Sequence, residues 1–153
     1  LSGALTGPGT AWNEVREALR AGDPGQMLVA AGKAIENTTG NAPVRLAEPE
    51  AGERDGYPIL ELIPHAEGMD VAAYHARTGA DFVAQTWAVL RQEFREGPHD
   101  TYGPFDTLSV ESTGGEEIDL LLDGEPEHGD TRVTFTLDTC PVDLLATLSE
   151  IAP

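Results

Sequence analysis

The sequence predicts an α+β fold: an antiparallel or mixed sheet of about five strands, with helices packed mainly on one face. Helical spacing of apolar residues recurs over 10–40, 80–96 and 141–152, whereas strict alternation fills 107–138. Strand-like runs also follow one another without an intervening helix, which favours antiparallel pairing over βαβ units. The expected order is α-α-β-β-α-β-β-β-α in a single domain over 10–153, after a flexible lead-in at 1–9.

The first helix is expected from a Thr10 cap, with Trp12, Val15 and Leu19 on one stripe and Gly22 closing it. Asp23-Pro24-Gly25-Gln26 then combines an N-cap carboxylate, proline at the first helical position and glutamine at the third. Leu28, Ala31 and Ile35 make the expected inner stripe of this second helix, and Asn37 or Gly40 ends it. Together they form an αα-hairpin over 10–40.

Val44-Arg45-Leu46 and Tyr57 to Ile63 are strand candidates, separated by a polar turn over 48–56. Pro58 and Pro64 bound the second strand, as at a sheet edge or in a strand cut short. Val71 to Tyr74 fit a short helix. The strongest helix runs over 80–96, where Val83, Trp87, Leu90 and Phe94 share a stripe and Arg91 and Arg95 complement the C-terminal dipole. Gly97-Pro98 stops it, and a loop through His99, Asp100, Tyr102, Gly103 and Pro104 follows. A last helix over 141–152 begins after Cys140.

The chain is organised around 107–138, which is expected to be a three-stranded meander. Leu108 and Val110 alternate with polar neighbours. Gly114-Gly115 signals a hairpin, because glycine enters positive φ freely. Ile118, Leu120 and Leu122 share one face, as do Val133, Phe135 and Leu137. A turn through Gly124, Pro126 and Gly129 separates the last two strands. One dry and one wet face are expected.

Charge is the chain's strongest bias. Its formal net charge is −18, and no lysine or arginine lies between Arg95 and Arg132, an interval holding 11 carboxylates. These are expected to put a negative potential above the sheet, carried by Glu111, Glu116, Glu117, Asp119, Asp123, Glu125, Glu127 and Asp130. Such a chain lacks the cations that replace condensed counterions on nucleic acid, and it is repelled by anionic membranes. A cationic protein is the expected partner. Lys33 is the sole lysine among nine basic residues, as a high-GC bacterial genome or adaptation to salt produces.

With one cysteine, Cys140, an internal disulfide is impossible and a cysteine-based zinc site is nearly excluded, so the expected setting is a reducing cytoplasm. No long apolar run or signal-peptide pattern is present in the sequence.

Candidate chemistry is sparse. His65 and Glu67 spell H-x-E, but the P-C-x-x-C of zinc deaminases is missing. His65, His75 and Asp70 make a conceivable metal triad, against the commoner fate of isolated surface histidines. Asp123 to Asp130 offers calcium-like oxygens without the EF-hand order, so a solvated hairpin loop is expected. Gly7-Pro8-Gly9-Thr10 lacks the lysine and preceding strand of a phosphate cradle, and is assigned to a flexible terminus. Asn37-Thr38-Thr39 is a sequon by letters only. Cys140 at a helix start reads as structural, since no base or orienting group can be named for it. The loop of His99, Asp100 and Tyr102 is the first place to look for a site, and the acidic rim of the meander the second.

The expected function is a small acidic interaction module of an immunity-, antitoxin- or chaperone-like class that docks a basic protein, with no cofactor and no metal. One alternative is a metal-binding or hydrolytic domain using His65, His75 or His99 with nearby carboxylates. Another is an assembly subunit, or a domain of a longer chain, whose acidity is background.

Overall fold

The computed structural model describes residues 3–75 and 99–138, without the side chains of Leu19, Ile35 and Thr39. The helices expected over 80–96 and 141–152, and Cys140, lie outside the described residues. The class is α+β, with two antiparallel sheets and a pair of helices.

The chain opens on β1 (Ala4–Thr6), a short 3₁₀ turn (Pro8–Ala11), α1 (Trp12–Arg20) and α2 (Pro24–Gly40). It continues through β2 (Val44–Glu48), β3 (Glu50–Ala51), β4 (Ile59–His65) and β5 (Gly68–Tyr74). The remaining strands are β6 (His99–Phe105), β7 (Thr107–Ser112), β8 (Ile118–Leu122), β9 (Glu125–Gly129) and β10 (Arg132–Thr136). A six-stranded sheet has the order β6-β5-β4-β1-β8-β9, and a four-stranded sheet the order β10-β7-β2-β3.

The expected single sheet is therefore corrected to two. Their inner faces share one core, to which β1, β4, β5 and β8 contribute Ala4, Leu60, Leu62, Val71 and Leu120. Val44, Leu46, Leu108 and Val110 come from β2 and β7. This is a face-to-face packing, in which the alternating inward residues of each sheet interdigitate with those of the other. A bridge between Val44 and Tyr57 ties the sheets together at one end, with N–H···O bonds of 2.9 and 2.7 Å.

The lead-in is not loose. β1 lies between β4 and β8, pairing Ala4 with Leu62 and with Leu122, so it is an inner strand of the larger sheet. Thr6 is fully buried. Gly7 N–H donates to Asp119 O and Gly9 N–H to Pro58 O, which pins the turn that follows. The run is only three residues long, too short for periodicity to register.

The meander is also corrected. β7 pairs with β2 and β10, whereas β8 pairs with β1 and β9. The connection between β7 and β8 crosses from one sheet to the other. It is held by Thr113 N–H to Pro43 O at 2.9 Å and by Ala42 N–H to the Glu116 carboxylate at 3.3 Å. Alternation fixes which face of a strand is dry, but it does not name the strand beside it. The expected loop at Glu125 to Gly129 is strand β9, and only Asp123-Gly124 turns.

Two further expectations fail. Val71 to Tyr74 belong to β5, each 4% exposed or less, because this strand is buried on both faces and shows no alternation. His99 to Phe105 form β6, paired with β5 across a bulge between Met69 and Val71. Pro64 is tolerated inside β4 because β1 pairs only with Leu60 to Leu62 and leaves that end of the strand uncovered.

The helical hairpin forms as expected, with Asp23 capping α2 by accepting from Gln26 N–H at 3.0 Å. Its small core is Val15, Ala30 and Ala34 with Trp12 and Met27 against them, and the 3₁₀ turn joins it to the sheet. The described helices are thus not spread across one face of a sheet. Leu28, expected inside, is 71% exposed, because Ala30 and Ala34 take the inner face.

Candidate functional site

The eight sequence-selected carboxylates do not share one face. Glu111, on the outer face of the four-stranded sheet, is flanked in register by Arg132 and Arg45. It forms an ion pair with Arg45 at 2.6 Å, and Arg132 reaches Glu48 at 2.8 Å. The sequence interval without cations is thus neutralised at this point by strands from elsewhere. At one-third exposure each, the Arg45–Glu111 pair contributes about 1 kcal/mol or less.

The other seven gather on the β8–β9 hairpin and its flanking turns. Glu116 and Glu117 precede β8, and Asp119 sits on the outer face of β8 with an oxygen 3.1 Å from His128 Nδ1. Asp123 occupies the turn at φ 51° and accepts from Gly3 N–H at 3.2 Å. Glu125 and Glu127 pair with Leu122 and Leu120, so they share the inner side of the sheet, yet both are exposed on the edge strand. Asp130 follows and accepts from Thr131 N–H at 2.7 Å. Among the described residues, no lysine or arginine forms an ion pair with Glu116, Glu117, Asp119, Glu125, Glu127 or Asp130.

His99, Asp100 and Tyr102 lie on the opposite edge of the same sheet, on β6. His99 pairs with Tyr74, their rings 5.2 Å apart, whereas Asp100 and Tyr102 pair with the inward residues Ala73 and Val71. Here the structure assembles a group the sequence reading had only in part. His75 Nε2 lies 2.9 Å from Asp100 Oδ2, and Tyr102 Oη donates to the same oxygen at 3.4 Å. The Tyr57 and Tyr102 hydroxyls are 2.9 Å apart, and Tyr57 Oη accepts from Glu53 N–H at 3.1 Å. Gly52 covers them: a Cβ there would stand 2.6 Å from Tyr57 Oη. Tyr57 was missed as a site residue because nothing in the sequence links it to Tyr102, 45 positions away.

The chemistry open to this chain of groups is limited. Asp100 orients the His75 ring through Nε2, and Nδ1 is buried with no hydrogen-bond partner among the described residues. Burial, then the neighbouring Tyr57 hydroxyl and the Asp100 charge, push the Tyr102 phenol well above its ordinary value, which disfavours phenolate as a nucleophile. A folded-state value above the unfolded one means that the stability Tyr102 lends is complete below about pH 10 and is lost as pH rises beyond it. Urea melts from neutral to alkaline pH should show Tyr102→Phe costing roughly 0.5–1.5 kcal/mol at neutrality. Its stability should also fall less steeply than the parent's above about pH 10. Parallel pH slopes would refute that assignment.

The metal triad is not assembled. His65 contacts Asp70 at 3.3 Å at one end of the β4–β5 hairpin, and His75 follows the other end of β5. His99 lies on β6 beside Tyr74. Among the described residues no group of three or more His, Cys, Asp or Glu is placed to hold a metal ion. None of the described helices is long and apolar enough to cross a membrane.

No protein-family model matches the chain, nor does any curated protein or solved structure.

Proposed function

We propose that the protein is an interaction module that docks a basic partner protein through the β8–β9 hairpin, in the manner of a cytoplasmic immunity protein or a chaperone for a cationic client. One observation carries the reading. The hairpin and its turns collect seven of the eight sequence-selected carboxylates at one edge of the larger sheet, and among the described residues six of them have no lysine or arginine partner. Carboxylates left in water without cations cost little in the free protein and give a partner's cations something to meet. Charge complementarity of this kind raises the association rate and makes it sensitive to salt. The overall charge of −18 argues against nucleic acid or an anionic membrane as the partner.

The test compares the parent protein with a Glu125→Lys, Glu127→Lys variant as bait in host lysate, at low and high salt. The expected result is a basic protein held by the parent, released as salt rises, and bound at least tenfold less by the variant, about 1.4 kcal/mol or more. An acidic partner, capture indifferent to salt, or undiminished capture by the variant would count against the reading.

A further inference from the structure

Three stretches far apart in the sequence meet at one place. They are the N-terminal turn at Gly7 and Pro8, the connection from α2 to β2 at Asn41 to Val44, and the crossover from β7 to β8 at Ser112 to Asp119. Gly7 N–H reaches Asp119 O at 3.0 Å, and Ala42 and Thr113 tie the α2–β2 connection to the crossover. Among the described residues no hydrogen bond joins the N-terminal turn directly to the α2–β2 connection.

The three do not close on one another completely. A cavity of about 20 Å³ lies between them, with Gly7, Asn41, Val44, Ser112, Glu116 and Ile118 in its walls. One water needs roughly 10–15 Å³, so this space takes a single water and no organic ligand.

The lining decides whether such a cavity is wet, because only apolar ones stay dry. Val44 and Ile118, each 1% exposed, make one side apolar. Ser112 makes another side polar. It is 8% exposed, and its hydroxyl accepts from Glu116 N–H at 3.3 Å. A hydroxyl also donates, and among the described residues no acceptor meets the Ser112 proton. Glu116 lines the same space, and its carboxylate, which accepts from Ala42 N–H, has lone pairs to spare.

We propose that one ordered water occupies this cavity, accepting the Ser112 proton and donating to the Glu116 carboxylate and a second oxygen of the lining. It bridges the N-terminal turn, the α2–β2 connection and the crossover, and so supplies the link that direct hydrogen bonds leave out.

A high-resolution crystal structure of the whole chain, with amide-to-water cross-relaxation in solution, tests this. The expected result is one water within hydrogen-bond distance of Ser112 Oγ and long-lived water contacts at the Gly7 and Ala42 amides. Ser112→Ala should lower the folding equilibrium constant about fivefold and speed hydrogen exchange at both amides. That substitution also removes the bond to Glu116 N–H, so Val44→Ile separates the two effects. It adds a methylene to the apolar wall and leaves Ser112 in place. It should expel the water and lower stability. A gain in stability from Val44→Ile would mean that a dry cavity had been filled, and overturns the proposal. A crystal structure without the water, or with a metal ion in its place, overturns it as well.

Discussion

Deletion of residues 1–9 should abolish cooperative folding. Those residues carry β1, which hydrogen-bonds to β4 on one side and β8 on the other. Without it two inner strand edges lose their partners, and the β8–β9 hairpin loses its only strand pairing to the rest of the sheet among the described residues. Ala4 and Thr6, 3% and 0% exposed, are also removed from the shared core side. A gentler version is Gly7→Ala. Gly7 has φ 106° and ψ 173°, a conformation essentially reserved for glycine. A Cβ there would stand 2.7 Å from Pro58 O and 2.8 Å from Val44 Cγ2. The expected loss is about 2 kcal/mol or more. Far-UV circular dichroism and urea unfolding decide it: a truncated chain that keeps the parent midpoint would mean that the first nine residues are the dispensable lead-in their composition suggests.

Leu60→Ala and Leu108→Ala should each cost about 2–5 kcal/mol. Both side chains are fully buried, one in β4 and the other in β7, on different sheets. They belong to the same core cluster, so both substitutions should lower the midpoint of a single transition and leave its denaturant slope nearly unchanged. Two separable transitions, one sensitive to each substitution, would show that the sheets do not share a core.

What could be read from residues alone was local. Asp23 and Pro24 marked the start of α2, because caps act through neighbouring atoms, and of the two residues expected to end it Gly40 is the last helical one while Asn37 lies inside. The dry sides of β7, β8 and β10 were legible from alternation. The pairing of β8 with β1 was not, since Leu120 and Thr6 are partners across more than a hundred residues and period-two patterning carries no address. The same limit applies to the candidate sites. Proximity in sequence grouped His99, Asp100 and Tyr102, but the fold turns His99 toward Tyr74 and joins the other two to His75 and Tyr57. It likewise joined Glu111 to its neighbours by charge, when Arg45 from β2 had already claimed it.

Strand β9 limits how anything can be recognised at its margin. It carries Pro126, which has no N–H to offer, between two glutamates that resist dehydration. An extended peptide laid alongside would meet an interrupted ladder, so strand addition is closed off there and recognition falls to side chains. Glu125 and Glu127 are two residues apart on one side of the strand, about 7 Å. Arginines four positions apart on a helix are offset by about 6 Å along its axis, so a basic helix lying across this margin can meet both carboxylates without the backbone ladder that Pro126 interrupts.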